Sequence, residues 1–355
     1  MVNHFNNRNS QKKIVVAMDS FKGSLTSLEA GNAVRDGILE NYPDFDVQIF
    51  PVADGGEGTV EALTFGKEHV QARTISVTGP VGTEVQAWYT IYGQAGERTA
   101  VLEMAQAAGL PLVPEEKRNP MHTTTYGVGE MICDAIACGC RKFILGIGGS
   151  ATNDAGIGML QALGCHFLDE HGNEVCYGAE GLSKVCEIHT EDMLPELSAC
   201  SFQIACDVTN PLVGENGCSY IFAPQKGADA QMLENMEKSM VRYADLVEQQ
   251  NWSGCKQDKV QMNTDLEKCQ MDSIINRMTL GAGAAGGLGY AFLMFLHARL
   301  RPGIDIVFDE IHLKERIKNV DLVITGEGRM DAQTLMGKTP AGVAKLAKAQ
   351  KKKVV

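Results

Sequence analysis

The sequence has no apolar run long enough to cross a membrane. The longest wholly apolar run near its end, residues 290–296, is far shorter than the ~20 residues that a spanning helix needs. The first 13 residues are polar and contain no apolar core of a secretory signal. We therefore expect a cytoplasmic protein with no membrane partner.

Acidic residues outnumber basic ones, 44 Asp and Glu against 32 Lys and Arg, so the net charge is −12. A phosphate backbone requires a basic surface, so we expect no nucleic-acid partner. If the ligand is an anion, its site must be locally positive, which draws attention to Lys22, Lys226, Arg329 and Lys338. No feature of the sequence indicates the oligomeric state.

Metal-ligand spacing is missing from the 11 cysteines. Cys138 and Cys140 form a C-x-C, but there is no paired C-x-x-C. Their helical or apolar surroundings favour small core residues with free thiols over zinc ligands.

What the chain does contain is a pattern of buried strands followed by charged turns. Its 355 residues favour two domains, and 44% apolar residues with 21% charged residues are typical of a globular protein. Residues 14–18 and 47–52 are predicted strands, and each leads through an acidic turn into a helix, which is the pattern of parallel βα units. The first of these helices begins with a capping box, Thr26-x-x-Glu29.

A change of pattern after residue 76 indicates a second domain. Residues 85–91 and 98–104 predict an antiparallel hairpin, and the alternative is an excursion within one sheet. Further predicted strands cover residues 143–147, 204–206, 304–308 and 322–325. The last of these leads into a long charged loop that extends from Gly326 to Thr339.

Three glycine-rich segments resemble phosphate-binding motifs. Gly281-x-Gly283-x-x-Gly286 matches the dinucleotide fingerprint, but residues 272–280 before it have helical spacing, whereas the motif requires a preceding strand. A nicotinamide-dependent oxidoreductase is therefore the less favoured alternative. The segment remains a candidate for a helix start whose backbone amides bind an anion, with Gly283 as one of the binding residues.

The second segment, 336–339, imitates the end of a P-loop but has Ala332 at the first glycine position. Lys338 is retained as a possible phosphate contact, and the alternative is a solvated loop lysine. The third segment, residues 146–152, follows a strand and opens a helix, so its amides with the Ser150 and Thr152 hydroxyls form the best phosphate cradle. The alternative is a tight turn without a ligand.

Carboxylates follow the predicted strands throughout the chain: Asp19, Asp54, Glu57, Asp207, Glu327 and Asp331. If these strands share sheets, the carboxylates converge near the anion-binding loops. This combination is what Mg²⁺-assisted phosphoryl transfer requires, although any single aspartate can instead cap a helix.

Several long motifs, in the same order, resemble the type I glycerate kinases. They are Asp19-Ser-Phe-Lys-Gly-Ser-Leu-Thr-Ser27, Pro51-Val-Ala-Asp-Gly-Gly-Glu-Gly-Thr59, Gly146-Ile-Gly-Gly-Ser-Ala-Thr-Asn-Asp154, Cys206-Asp-Val-Thr-Asn-Pro-Leu212, residues 281–289, and Gly326-Glu-Gly-Arg-Met-Asp331 with Gly337-Lys338. The similarity extends from about Lys13 to the last residue.

This resemblance implies a kinase that phosphorylates D-glycerate with ATP and Mg²⁺, with 2-phosphoglycerate as the expected product and 3-phosphoglycerate as the alternative. It also implies an α/β fold of two domains, with the site between them. A Rossmann- or flavodoxin-like parallel-sheet domain is expected over residues 1–75 and 290–355, and a mixed α/β domain over residues 76–289 is inserted into it. Family members continue beyond a strand like the one that begins at residues 351–355, so we expect the first domain to be C-terminally short.

The residues then receive predicted roles. Gly148, Gly149, Ser150 and Thr152, with Gly283 and Lys338, are expected to bind the ATP phosphates. Asp207, Glu327 and Asp331 are candidate Mg²⁺ ligands, and Asp207 is favoured over Asp331 as the base. Lys22 and Arg329 are expected to hold the substrate carboxylate or the transferring phosphoryl group, while Asp19, Ser20, Asp54 and Glu57 shape the substrate end.

Overall fold

The structure is a computed structural model that describes residues 11–21, 23–55, 58–250, 275–328 and 339–355. The strands in this part of the chain are β1 Lys13–Met18, β2 Asp46–Ile49, β3 Gln71–Thr78, β4 Glu84–Tyr92, β5 Arg98–Glu103, β6 Cys140–Gly146, β7 His166–Leu168, β8 Glu187–His189, β9 Ser201–Ala205, β10 Arg299–Arg301, β11 Leu322–Gly326 and β12 Lys353–Val354.

The α-helices in the same residues are α1 Ser27–Asn41, α2 Thr59–Thr64, α3 Ala105–Ala108, α4 Tyr126–Ala137, α5 Ile157–Ala162, α6 Gly178–Leu182, α7 Cys218–Phe222, α8 Ala230–Gln249, α9 Ala284–Phe295, α10 Gly303–Glu310, α11 Leu313–Arg316 and α12 Thr339–Ala349. Single 3₁₀ turns occur at Leu110–Leu112, Glu115–Lys117, Pro195–Ala199, Pro224–Lys226 and Ile317–Asn319. No helix in the described ranges is long and apolar enough to cross a membrane.

The chain divides into two compact units. The first unit combines Met1–Gly66 with Pro302–Val355, and the second consists of Lys67–Arg301. Residues 67–75, which we expected in the first domain, lie in the second unit because β3 pairs along its whole length with β4. Residues 290–301 lie there too, since β10 pairs with β9.

The first unit contains a parallel sheet with the strand order β12-β11-β1-β2. Its central strand β1 is fully buried at Val15, Val16 and Ala17, as expected for a strand with neighbours on both sides and cover on both faces. The predicted capping box starts α1: the Thr26 hydroxyl accepts from the Glu29 amide at 3.2 Å, and the Glu29 carboxylate accepts from the Thr26 amide at 2.8 Å.

One predicted strand of this unit is wrong, because residues 304–308 lie in helix α10. Ile304, Val307 and Phe308 are buried at the spacing of one helical face. A short apolar run does not distinguish a buried strand from a buried helix, and here Gly303 fixes the helix start against another loop. A Cβ at Gly303 would approach the Asp54 carbonyl oxygen to 2.4 Å.

The second unit is built on a mixed sheet with the order β10-β9-β6-β5-β4-β3. β3, β4 and β5 are antiparallel, which confirms the predicted hairpin, and β5, β6, β9 and β10 are parallel. Its core joins the sheet to α4, α5, α8 and α9 through large buried side chains such as Phe143, Phe292 and Tyr243.

Candidate functional site

Three carboxylates gather at the carboxyl edge of the first unit's sheet. Met18 and Gly326 are paired at the ends of β1 and β11, and the amide of Asp19 donates to the Gly326 carbonyl at 2.9 Å. Asp19 and Glu327 therefore leave neighbouring strands side by side. Asp54 follows β2 on the other side of β1, and the negative charges of Asp54 and Glu327 both act on Asp19.

Asp19 is the buried member of this group, with 6% of its surface exposed. One carboxylate oxygen accepts from the Ser20 amide at 2.6 Å, and the other accepts from the Thr339 hydroxyl at 2.6 Å. Burial raises the pKa of Asp19, the hydrogen bonds from Thr339 and Ser20 lower it, and the charges of Asp54 and Glu327 raise it; the net shift is upward. A buried aspartate whose pKa is raised by burial and by specific neighbouring charges is a candidate for proton transfer.

The Thr339 contact was not predicted from the sequence, which placed Thr339 at the end of the charged loop that begins at Gly326. Thr339 begins α12 and is fully buried. Its partner Asp19 lies 320 residues earlier in the chain, so no local sequence pattern indicates this hydrogen bond.

Ser20, also predicted at the substrate end, lies beside this carboxylate group. Its hydroxyl oxygen is buried and has no hydrogen-bond partner among the described residues. A buried hydroxyl without a partner has unused capacity for a ligand or water. Lys22, Glu57, Arg329, Asp331 and Lys338 lie outside the described residues.

The second unit presents the predicted phosphate cradle at the carboxyl edge of its parallel strands. Gly148 and Gly149 follow β6 and are exposed, and a Cβ at Gly148 would meet no atom within 4 Å. Gly149 has a φ of +75°, which a residue with a Cβ rarely adopts. Ser150 and Thr152 are buried behind these two glycines.

Asp207 lies at the same edge. Gly146 of β6 pairs with Ala205 of β9, and the two strands are parallel. Gly148 and Asp207 each lie two residues beyond this pair, so they emerge from neighbouring strands at the same level. Asp207 is exposed to solvent.

Behind the cradle, Lys226 and Asp154 are buried. The Lys226 ammonium donates to the Ser150 hydroxyl at 2.7 Å and to the Thr152 carbonyl at 2.6 Å. The Asp154 carboxylate accepts from the amide and hydroxyl of Thr125, at 2.9 and 2.8 Å. Asp154 thus secures the end of the loop from inside the fold, and burial raises its pKa.

The segment 281–287 packs against the cradle and does not form a dinucleotide loop. The Gly283 amide donates to the Asn210 carbonyl at 3.0 Å, so this N–H is engaged within the unit. A Cβ at Gly286 would lie 2.1 Å from the Thr152 carbonyl oxygen, and one at Gly287 would lie 2.7 Å from the Cα of Ala155. These glycines permit the close approach of two backbone segments.

The helix predicted from the spacing of residues 272–280 is wrong over the part that the structure describes, because residues 275–283 contain turns and no helix. They also contain no strand, so the structural context of a dinucleotide fingerprint is lacking in this described stretch.

A magnesium site was predicted from Asp207, Glu327 and Asp331. Within the residues described here, no three His, Cys, Asp or Glu side chains are grouped so that they could hold a metal ion. Mg²⁺ in kinases usually binds one or two carboxylates together with substrate phosphates and waters. Asp207 in the second unit and Glu327 in the first each offer the hard oxygen donors that Mg²⁺ prefers, and neither belongs to a preformed cage of three such side chains among the described residues.

Comparison with known proteins gives a consistent result. A model of the glycerate kinase family matches residues 14–355. A glycerate 2-kinase of Escherichia coli strain K12 is 44% identical over 343 residues, which is 97% of this chain and 84% of the relative. A glycerate kinase of Bacillus subtilis strain 168 is 45% identical over 338 residues, or 95% of this chain and 82% of the relative.

Among solved structures, a crystal structure of glycerate kinase 2 from Salmonella typhimurium LT2 matches with a TM-score of 0.86 and 44% identity, covering 97% of this chain and 86% of that one. The predicted α/β fold class and the resemblance are thereby confirmed. The chain belongs to the glycerate kinase family.

Proposed function

We propose that this protein transfers the γ-phosphoryl group of MgATP to the 2-hydroxyl of D-glycerate, giving 2-phosphoglycerate and ADP. Family membership supports the kinase reaction, and the name of the E. coli relative, glycerate 2-kinase, supports the position of transfer. The structural observation that carries the proposal is the buried Asp19 carboxylate, which lies beside two further carboxylates at the open end of a parallel sheet.

We assign the role of proton acceptor to Asp19 in preference to Asp207. A base is most effective when its pKa approaches the working pH, and the pKa of Asp19 is raised by burial and by two neighbouring carboxylates. The hydroxyl of Thr339 and the amide of Ser20 orient both of its oxygens. Asp54 completes the polar surface around the substrate, and Glu57 is proposed to act with it.

The nucleotide phosphates are proposed to bind the exposed amides of Gly148 and Gly149, with Ser150 and Thr152 behind them. Mg²⁺ supplies charge neutralisation at the transferring phosphoryl group when it is bound. Its proposed protein ligands are Asp207, Glu327 and Asp331. Lys22, Arg329 and Lys338 keep their proposed roles as cationic contacts of the substrate carboxylate and the phosphates. Because ATP is consumed, we place the reaction in the cytoplasm.

An enolase-coupled assay tests both the reaction and its position. Enolase converts 2-phosphoglycerate directly into phosphoenolpyruvate, whereas 3-phosphoglycerate first requires a mutase. We expect D-glycerate and MgATP to give phosphoenolpyruvate with enolase alone. Formation that depends on added phosphoglycerate mutase would contradict transfer to the 2-hydroxyl, and failure to release ADP would contradict the kinase reaction itself.

A further inference from the structure

Lys226 is an unusual lysine, because the whole side chain is buried and only 2% of its surface is exposed. Long cationic side chains are rarely buried unless they are paired. Lys226 ends a 3₁₀ turn, Pro224–Lys226, and the following Gly227 has a φ of +98°. A Cβ at Gly227 would lie 2.2 Å from the Arg118 carbonyl oxygen, so this turn is tightly fixed.

Its ammonium is directed at the phosphate cradle. It donates to the Ser150 hydroxyl and to the Thr152 carbonyl, on either side of Ala151. These two bonds tie down the buried half of the loop whose exposed half is Gly148 and Gly149. Thr152 also carries a buried hydroxyl that has no partner among the described residues.

No carboxylate in the described part of the chain lies within ion-pair distance of this ammonium. The titratable groups that act on it are the Cys218 thiol of α7 and the Asp154 carboxylate, and Asp154 is bonded to Thr125 and Gly156. Burial lowers the pKa of Lys226 to about 8. The positive charge is therefore costly to the fold and is not neutralised by a direct ion pair.

We propose that Lys226 is a positioning residue for nucleotide binding, which holds the Gly148–Thr152 loop in its phosphate-binding conformation and places a positive charge beneath it. This inference rests on the proposed kinase function. The ligand it serves is the polyphosphate of ATP. A fixed charge under a loop of exposed amides attracts an anion without contacting it, because charges in a low-dielectric interior act over longer distances than in water.

The direct test is Lys226→Met, which keeps the length of the side chain and removes the charge. We expect the KM for MgATP to rise roughly tenfold or more, as for the loss of a charged hydrogen bond, while the KM for D-glycerate is unchanged. Replacing a costly buried charge by an apolar side chain should leave the melting temperature close to that of the wild type. The matched control is Lys238→Met, on the exposed side of α8, which should change neither constant.

A second measurement uses the wild-type protein and does not depend on the variant folding. Lys226 loses its charge as the pH rises through about 8. We therefore expect the Kd for MgATP, measured by titration calorimetry, to increase above that pH. Lys226→Met has no charge to lose, so it should bind MgATP weakly, with a Kd that does not change over the same pH range.

The outcomes are distinguishable. Wild-type affinity for MgATP in Lys226→Met overturns the inference while leaving the kinase function intact. If the variant does not fold, a wild-type Kd that stays constant from pH 7 to 9.5, an interval of roughly one to two units around the pKa, overturns it equally. If both tests fail while the wild-type protein still turns over D-glycerate, the positioning role of Lys226 is wrong and the proposed kinase function stands.

Discussion

At the scale of single residues, each of the two units buries one ionisable group at a cost, Asp19 in the first and Lys226 in the second. Burial raises the pKa of the Asp19 carboxyl and lowers that of the Lys226 ammonium, so each is driven towards its neutral form. Proteins accept such costs mainly at functional sites, where activity and stability are in conflict. Removing either charge should therefore affect activity more than stability.

Asp19→Asn tests this at the proposed base. The folded-state pKa of Asp19 lies above its unfolded value, so the cost of ionising it in the fold is fully present at neutral pH and disappears as the pH falls. We expect kcat to fall by about 10²–10⁴-fold, as for loss of a general base, with a melting temperature at least as high as that of the wild type. Asp44→Asn, an exposed aspartate of the same unit, is the control. Turnover within a few-fold of the parent would exclude Asp19 as the base.

Thr339→Val tests how the base is tuned. The Thr339 hydroxyl lowers the pKa of Asp19, so its removal should raise that pKa further. If Asp19 must be ionised to act, the acid limb of the kcat/KM profile will move to higher pH. Thr74→Val, at an exposed position of β3, should leave the limb unchanged. An unshifted limb in Thr339→Val would show that another group controls the acid side.

At the scale of elements, the glycine segment 281–287 supports the phosphate cradle from behind. Gly286 has a φ of +68° and lies against the Thr152 carbonyl, the group that also accepts from Lys226. The cradle is therefore held between a glycine backbone and a buried ammonium. The shape of this loop follows from contacts across the second unit as well as from its own sequence.

Gly286→Ala should disturb this support. A Cβ here combines a strained φ with an approach of 2.1 Å to Thr152, so we expect a loss of more than about 1 kcal/mol in the free energy of unfolding. The KM for MgATP should rise with it. Gly37→Ala is the opposite control, because it lies in α1 with nothing within 4 Å and should stabilise by about 0.5–1 kcal/mol. Equal urea midpoints for both variants would contradict the packing role.

The sequence predicted those elements whose signals are local. The capping box of α1, the apolar strands β1 and β6 and the hairpin of β4 and β5 all follow from short-range patterns. The helix at 303–310 was missed because an apolar run of that length suits either a strand or a helix. The bonds of Thr339 to Asp19 and of Lys226 to Ser150 were beyond prediction, since each joins residues brought together only by the tertiary fold.

At the scale of the whole molecule, each unit has its proposed site residues at the carboxyl ends of parallel strands, where α/β sheets bind ligands. In the first unit the proposed site residues are the carboxylates around Asp19, and in the second they are the glycine cradle and Lys226. The net charge of −12 makes a fixed cation beneath the cradle important, because an anionic nucleotide must bind against the overall charge.

Phosphorus NMR of the product distinguishes phosphorylation at the 2-hydroxyl from phosphorylation at the 3-hydroxyl. After incubation with D-glycerate and MgATP, we expect a phosphomonoester signal that is split into a doublet by the single proton on C2. A triplet, produced by the two protons on C3, would contradict phosphorylation at the 2-hydroxyl. The absence of any phosphoglycerate signal, with ATP left intact, would contradict the kinase function.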